Sequence, residues 1–143
     1  MMKKINFDNF ILLVSNDVRD VFRYYNVTEM HGLSHEGATK RINEGGTYCD
    51  GWTNIAPHEG MKPFLFLNLK TMIEAPIWKT ATLVMHETGH LAVLLWELNG
   101  GLENDAETPA GEIEEKIITH AEILANQIMK KLKFPEIHFN IQL

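Results

Sequence analysis

A long apolar segment between residues 76 and 98 constrains the fold of this chain more than any other feature. Pro76 suits the first turn of a helix, and Asn99-Gly100-Gly101 is a strong signal for a helix end. Apolar residues flank the centre of the segment on both sides, at 81–85 and 91–95. The pattern therefore predicts one long helix buried in the core, from about Pro76 to about Leu98.

A second helix should follow after the polar loop 102–107. Thr108-Pro109 is typical of an N-cap and a first helical residue, and Phe134-Pro135 ends the apolar periodicity after about Lys133. Because the loop is short, we expect the two helices to pack antiparallel.

The N-terminal half predicts shorter elements. Residues 5–26 suggest a short element followed by a helix, and residues 27–62 turns and short strands. Residues 63–69 form an apolar run with little alternation, which predicts a strand buried on both faces. Residues 137–143 suggest a final strand in the tail.

These elements predict an α+β fold in a single domain over residues 1–143. Residues 1–75 would supply a helix and a small sheet, residues 76–133 the two-helix core, and residues 134–143 a tail. The chain of 143 residues is close to the commonest domain size, and its 45% hydrophobic content argues against disorder.

Charge and composition exclude several classes of partner. A formal net charge of -6 disfavours general binding to nucleic acid or to an anionic membrane. The single Cys49 excludes an internal disulfide and a cysteine-rich zinc site, and it suits a reducing compartment.

Polar residues from Asp8 onward interrupt any signal-like start, and the apolar runs are too short to span a membrane. We therefore expect a soluble, cytoplasmic protein.

The first predicted helix contains His86-Glu87-Thr88-Gly89-His90, which matches H-E-x-x-H. Residues four apart share one helical face, so both imidazoles can bind one ion, and Zn²⁺ suits two imidazoles plus a carboxylate. Glu87 beside them is the candidate general base. Gly89 costs roughly 1 kcal/mol relative to Ala in a helix, which predicts the close approach of another segment there.

The third metal ligand is expected on the second helix. On a helical wheel, Glu114 falls near the centre of the apolar face, Glu122 near its edge, and Glu112 and Glu115 outside it. A carboxylate in a core-facing stripe is expensive unless it is paired or metal-bound, which favours Glu114. Glu122 remains the alternative, because antiparallel packing brings it closer to the height of the histidines.

Several other polar and aromatic residues carry weaker predictions. His31 and His35 are four apart but lack helical flanks, so a second metal site there is disfavoured. The remaining histidines are predicted at the surface or at edges: His58, His120 and His138. Candidate donors to an oxyanion are Tyr24, Tyr25 and Tyr48. The tryptophans expected in the core are Trp52, Trp78 and Trp96.

With this motif and its acidic second helix, the chain resembles a minimal zincin of the gluzincin type. Residues 83–128 are more closely similar to small H-E-x-x-H proteins of bacteriophages and mobile elements, in which an acidic pair opens the next helix. Here that pair is Glu114-Glu115, and the resemblance implies that its first member is a metal ligand. Mobile-element peptidases that cleave repressors instead have Glu-x-Glu-Ala-Asn, and this chain has Leu124 where the second Glu would stand.

The resemblance implies a zinc metallopeptidase that acts on a peptide or protein substrate, with His86, His90 and Glu114 as ligands and Glu87 as general base. The strand at residues 64–69 is a candidate for binding an extended peptide by strand addition. The alternative function is a non-catalytic zincin-like binding or virion-associated protein, in which the metal site is structural or vestigial.

Overall fold

The computed structural model describes residues 2–54 and 61–133, which form a mixed α+β fold. The strands are β1 (Lys3–Asn6), β2 (Ile11–Ser15), β3 (Glu29–Met30), β4 (Leu33–Ser34), β5 (Gly51–Thr53) and β6 (Phe64–Asn68). The helices are α1 (Arg19–Tyr25), α2 (His35–Asn43), α3 (Leu69–Glu74), α4 (Ile77–Leu98), α5 (Gly101–Asn104) and α6 (Ala110–Lys131).

Four strands form the main sheet, in the order β1-β2-β6-β5. β1 and β2 are an antiparallel hairpin, β2 and β6 run parallel with Ile11 opposite Phe64, and β5 is antiparallel to β6. β6 therefore lies inside the sheet with a neighbour on each side. Within the described residues, β5 is the outer strand on the side away from β1.

The two faces of this sheet carry two separate apolar cores. Alternate residues point to opposite faces of a strand. On one face, Leu65 and Leu67 pack with the apolar sides of α4 and α6. On the other, Phe64 and Phe66 pack with Phe22 of α1. Because all five residues of β6 are buried, the prediction of a strand covered on both faces is confirmed.

The two long helices follow their predicted bounds closely. α4 begins after Pro76 and ends at Leu98, and α6 begins after Pro109. Asp105, in the segment that connects the two helices, accepts hydrogen bonds from the Trp96 indole at 2.6 Å and from the Lys116 ammonium at 3.2 Å. These contacts connect the end of α4 to the start of α6, as antiparallel packing requires.

The loop between these helices is more regular than expected, because it contains the short helix α5. Gly100 supplies the left-handed turn before it, at φ 80°. Gly101 lies so close to the Trp96 ring that an ideal Cβ would be 2.2 Å from an indole carbon. The glycine pair therefore ends α4 and also lets the chain pack against the indole.

Helix α2 was not predicted, since residues 27–62 were expected to form turns and short strands. Ser34 is its N-cap and accepts a hydrogen bond from the Gly37 N–H at 2.9 Å. Ala38 is the one buried residue of this helix, so the sequence lacks the apolar period that marks α4 and α6.

The tryptophan prediction is correct in part. Trp52 is buried, Trp96 is half-buried, and Trp78 is 66% exposed. Trp78 lies in the first turn of α4, on the side away from the buried Thr80. The predicted tail strand at residues 137–143 lies outside the described residues. Within the described ranges, no helix has the length and apolar character needed to cross a membrane.

Candidate metal centre and general base

His86 and His90 present a pair of imidazole nitrogens on the exposed side of α4. Their Nε2 atoms lie 3.2 Å apart, and the rings meet edge to face with centroids 4.8 Å apart. Both residues are exposed, whereas Val84 and Leu91 of the same helix are buried. The pair therefore stands at the boundary between the core and the solvent.

The separation of the two Nε2 atoms fits a shared metal ion. Two nitrogens bound at 2.0–2.1 Å to one tetrahedral zinc ion lie about 3.3 Å apart. The 3.2 Å measured between His86 and His90 matches this value closely. The same separation also allows one protonated imidazole nitrogen to donate a hydrogen bond to the other.

Glu87 lies between these histidines in sequence, but its side chain turns into the protein and is 5% exposed. Its Oε2 accepts a hydrogen bond of 2.6 Å from the Thr53 hydroxyl, and its backbone carbonyl lies 3.0 Å from the same hydroxyl. Thr53 belongs to β5, so the contact connects the outer strand of the sheet to the motif helix. A buried carboxylate is costly unless it is hydrogen-bonded, and Thr53 supplies such a bond.

β5 approaches Glu87 closely because residue 51 is a glycine. An ideal Cβ on Gly51 would lie 2.9 Å from Cγ of Glu87 and 2.8 Å from Cδ1 of Leu83. Gly51 and Thr53 are two apart on one strand, so they share the face that meets α4. Trp52, between them, packs against Phe64 in the other core.

Within the part of the chain that the structure describes, no segment makes the close approach that Gly89 was expected to serve. Outside its own helical turn, no heavy atom of the described residues lies within 4 Å of an ideal Cβ there. Contact with the motif helix occurs two residues earlier, at Glu87, and the glycine that permits it is Gly51 on the opposing strand. The prediction was wrong because it placed the space-making glycine on the helix.

Cys49 lies beside the buried end of this site. Burial, and then the nearby negative charge of Glu87, raise the pKa of its thiol to about 12. The thiol donates a hydrogen bond of 3.1 Å to the Gly51 carbonyl. Cys49 is therefore a neutral packing residue beside the carboxylate, in keeping with its expected free state.

Among residues 2–54 and 61–133, the structure brings no third ligand to the histidine pair. In the described ranges, no three His, Cys, Asp or Glu side chains are grouped so as to hold a metal ion. Glu114 and Glu122 are both exposed on α6. For Glu114 this differs from the predicted core-facing position, because the buried part of α6 begins only at Ala121. A helical wheel projects all turns onto one circle. It therefore does not show which turns of the apolar face are covered by other elements of the fold.

The tyrosines considered as oxyanion donors are not at this site. Tyr25 stacks on Phe64, and Tyr48 packs in the same core, on the face of the sheet away from α4. The Tyr48 hydroxyl accepts from the Ser34 N–H at 3.1 Å, and Tyr24 is exposed with its hydroxyl 2.7 Å from the Lys4 ammonium.

Of the other histidines, the three that the structure describes lie on other elements. His35 begins α2 and His31 lies in the turn before it, at φ 52°. His120 is half-buried on α6 beside a cavity between α6 and the end of α4. His58 and His138 lie outside the described residues.

Sequence reasoning missed Gly51 and Thr53. The signal in the chain was slight, since Gly51-Trp52-Thr53 is a three-residue strand after a segment with four glycines at residues 27–50. Nothing in the local pattern connects Thr53 to a glutamate 34 positions later.

Comparison with known proteins gives no match: no protein-family model fits the chain, and no curated protein or solved structure is significantly similar to it.

Proposed function

We propose that this protein is a zinc-dependent metallopeptidase with a zincin-like arrangement of its motif helix. The observation that carries the proposal is the 3.2 Å separation of the His86 and His90 nitrogens, with a buried glutamate, Glu87, as the next residue of the same helix. Two imidazoles at ligand spacing next to a carboxylate suit metal-assisted hydrolysis. The resemblance to gluzincins and to small H-E-x-x-H proteins of bacteriophages supports the same reaction class.

His86 and His90 would hold the ion, with Glu114 or Glu122 as third ligand after a movement of α6 or of its carboxylate. The metal supplies Lewis acidity toward the scissile carbonyl. Glu87 takes the proton from the attacking water as the oxygen bonds to the carbonyl carbon. It then gives that proton to the leaving amine nitrogen as the C–N bond breaks, so the carboxylate is regenerated.

The outer strand β5 is the best candidate for holding an extended peptide. β6, considered for this role from the sequence, is paired on both sides and has no free edge. Asn54 donates its N–H to the Phe64 carbonyl, and Asn68 donates to the Asp50 carbonyl. Because antiparallel strands bond through every second residue, the backbone groups of Gly51 and Thr53 point away from β6, toward an edge on which no other described strand pairs. Strand addition there would lay a substrate beside Glu87.

A second candidate is a non-catalytic metal-binding or interaction protein. The exposed histidine pair and the lack of a third ligand within the described ranges favour it. The buried, hydrogen-bonded Glu87 favours the peptidase, because a purely structural metal site has no need of that carboxylate as a base.

Elemental analysis of untagged protein tests the metal site. We expect about one zinc per chain in the wild type, a large loss in His86→Ala, and a loss in only one of Glu114→Ala and Glu122→Ala. Absence of zinc, even after zinc is added, would overturn the proposal.

A peptide-library digest tests the chemistry. Zinc-loaded wild type should cleave peptides, and Glu87→Gln should retain zinc but lose cleavage by about 10²-fold or more. If zinc-loaded wild type cleaves nothing, the binding-protein candidate is correct.

A further inference from the structure

We propose that Thr53 is a positioning residue for the general base. Its hydroxyl anchors one carboxylate oxygen of Glu87, which leaves the second oxygen to accept the proton of the attacking water. This inference rests on the proposed peptidase function and adds a residue outside the H-E-x-x-H motif.

The hydrogen-bond geometry carries the first step of the argument. A threonine hydroxyl has one proton to donate, and its two close acceptors both belong to Glu87. The carboxylate oxygen lies at 2.6 Å and the backbone carbonyl at 3.0 Å. The shorter contact is the charge-assisted one, so the carboxylate takes the larger share of the proton. One hydroxyl thus fixes the side chain of Glu87 relative to its own backbone.

Burial strengthens the hydrogen bond between Thr53 and Glu87. Thr53 and Glu87 are each 5% exposed, so water has little access to replace the bond. In a site of low dielectric, a hydrogen bond to a charge is stronger than in water, and its loss is correspondingly costly. A glutamate side chain has several rotamers, and the hydrogen bond from Thr53 selects one of them for the Glu87 carboxylate.

The sheet fixes the anchor itself. Thr53 is opposite Leu65 in the ladder between β5 and β6, and its β-branched side chain is restricted at χ1. Gly51, two residues before it, allows the strand to lie against Glu87. The hydroxyl is thus presented by a paired strand at a fixed distance from the motif helix.

A purely structural role would be a simple brace between β5 and α4. The two roles make different predictions for substitutions of nearly equal shape. Thr53→Val keeps the branched side chain and removes the donor, whereas Thr53→Ser keeps the donor and removes a methyl group. A brace depends mainly on packing, and an anchor depends on the hydroxyl.

The matched control is Thr80→Val. Thr80 is also a buried threonine, 2% exposed, and its hydroxyl donates to the Met72 carbonyl at 3.3 Å, away from Glu87. The Thr80→Val substitution removes one buried hydroxyl from α4 and leaves the hydrogen bond between Thr53 and Glu87 intact. Its kcat should equal that of the wild type within about twofold, even if its melting temperature falls.

The test measures zinc content, melting temperature, kcat and KM for the wild type and these three variants, with a peptide that the wild type cleaves. We expect Thr53→Val to bind zinc normally and to lose about 10- to 100-fold in kcat with little change in KM. Thr53→Ser should recover kcat to within a few-fold of the wild type. Full kcat in Thr53→Val, or a loss of kcat equal to that of Thr80→Val, would overturn the inference while the peptidase function stands.

A spectroscopic measurement separates failure of the inference from failure of the function. The side-chain carboxyl carbon of Glu87, assigned by its absence in Glu87→Gln, is observed by ¹³C NMR together with the couplings that report its rotamer. We expect one rotamer in the wild type and Thr53→Ser, and averaging in Thr53→Val. If zinc-loaded wild type is inactive, the peptidase function fails. An unchanged Glu87 signal in Thr53→Val shows that Thr53 positions nothing.

Discussion

Gly51 faces Glu87 so closely that a methyl group cannot be added without movement: an ideal Cβ would lie 2.9 Å from Cγ of the glutamate. Cγ is in the middle of a buried side chain, so it cannot swing away as a chain end would. The identity of residue 51 therefore controls the distance between β5 and the motif helix.

Gly51→Ala should displace either the strand or the Glu87 side chain. We expect a loss of about 1–3 kcal/mol in the free energy of unfolding, as for overpacking in a well-packed core. The proposed zinc binding should persist, because the side chains nearest an ideal Cβ on Gly51 are those of Leu83 and Glu87. The proposed peptidase activity should fall. Urea unfolding and elemental analysis check these outcomes.

Gly111→Ala is the matched control for this substitution. No heavy atom among the described residues lies within 4 Å of an ideal Cβ there, apart from the helix itself and its chain neighbours. Alanine in α6 should then stabilise the protein by roughly 0.5–1 kcal/mol. An equal loss of stability in both variants would contradict the steric argument at Gly51.

Zinc should raise the melting temperature of the wild type, and EDTA should reverse the change, because a ligand that binds only the folded state stabilises it. His86→Ala and His90→Ala should both lose this response. Since both histidines are exposed, the metal-free variants should unfold within about 0.5 kcal/mol of the metal-free wild type. Thermal melts with and without zinc measure both effects. A zinc response that survives in both variants would place the metal elsewhere.

Cys49 should react slowly with thiol reagents in the folded protein. Burial raises the pKa of its thiol to about 12, so the reactive thiolate is scarce at pH 8. Compared with a free thiol of pKa near 9, we expect alkylation by iodoacetamide to be about 10³-fold slower in the native state. The comparison is with the same protein in urea. Equal rates in the two states would show that the thiol is not held in a neutral form.

The raised pKa of the Cys49 thiol also predicts how the free energy of unfolding changes at alkaline pH. Between about pH 9 and pH 12 the unfolded chain releases the Cys49 proton while the native state retains it. The unfolded state then binds fewer protons, so the free energy of unfolding falls as the pH rises through this window. Cys49→Ser should weaken that dependence.

Tyr25 offers a test in the second core. Its hydroxyl is buried and has no hydrogen-bond partner among the described residues, and burial raises its pKa to about 12. Tyr25→Phe removes an unsatisfied donor, so we expect unchanged or increased stability, by up to about 1 kcal/mol. Ultraviolet titration of the wild type should show one tyrosine transition at a higher pH than the others. That transition should be absent from Tyr25→Phe.

Tyr48→Phe is the control for the tyrosine substitution. The Tyr48 hydroxyl accepts a hydrogen bond from the Ser34 N–H, so its loss should cost about 0.5–1.5 kcal/mol. Chemical denaturation of both variants measures the contrast. The same destabilisation in Tyr25→Phe would mean that its hydroxyl has a partner in solution.

The parts of the fold that could be predicted are those coded by local pattern. α4 and β6 combine apolar periodicity or a continuous apolar run with clear end signals, and both were predicted within a residue or two. α2 was missed because its residues are mostly polar and it is specified by a cap at Ser34 rather than by a period.

The residues of the candidate site fall into the same two groups, those that a local sequence pattern predicts and those that it does not. His86, Glu87 and His90 could be identified because one helical turn brings them together. The contact between Thr53 and Glu87 depends on how a distant strand docks on that helix, which no local pattern encodes. The exposure of Glu114 likewise depends on where α6 is covered along its length.

The parallel pairing of β2 with β6 has a consequence for how the molecule folds. Ile11 and Phe64 become neighbours only after the intervening chain has closed a long loop, and such non-local contacts slow folding. The histidine pair needs only its own helix, whereas the surroundings of Glu87 need the completed sheet. Local opening of β5 would therefore release the Glu87 carboxylate before His86 and His90 separate, and hydrogen exchange would detect that opening as early loss of protection at the outer strand.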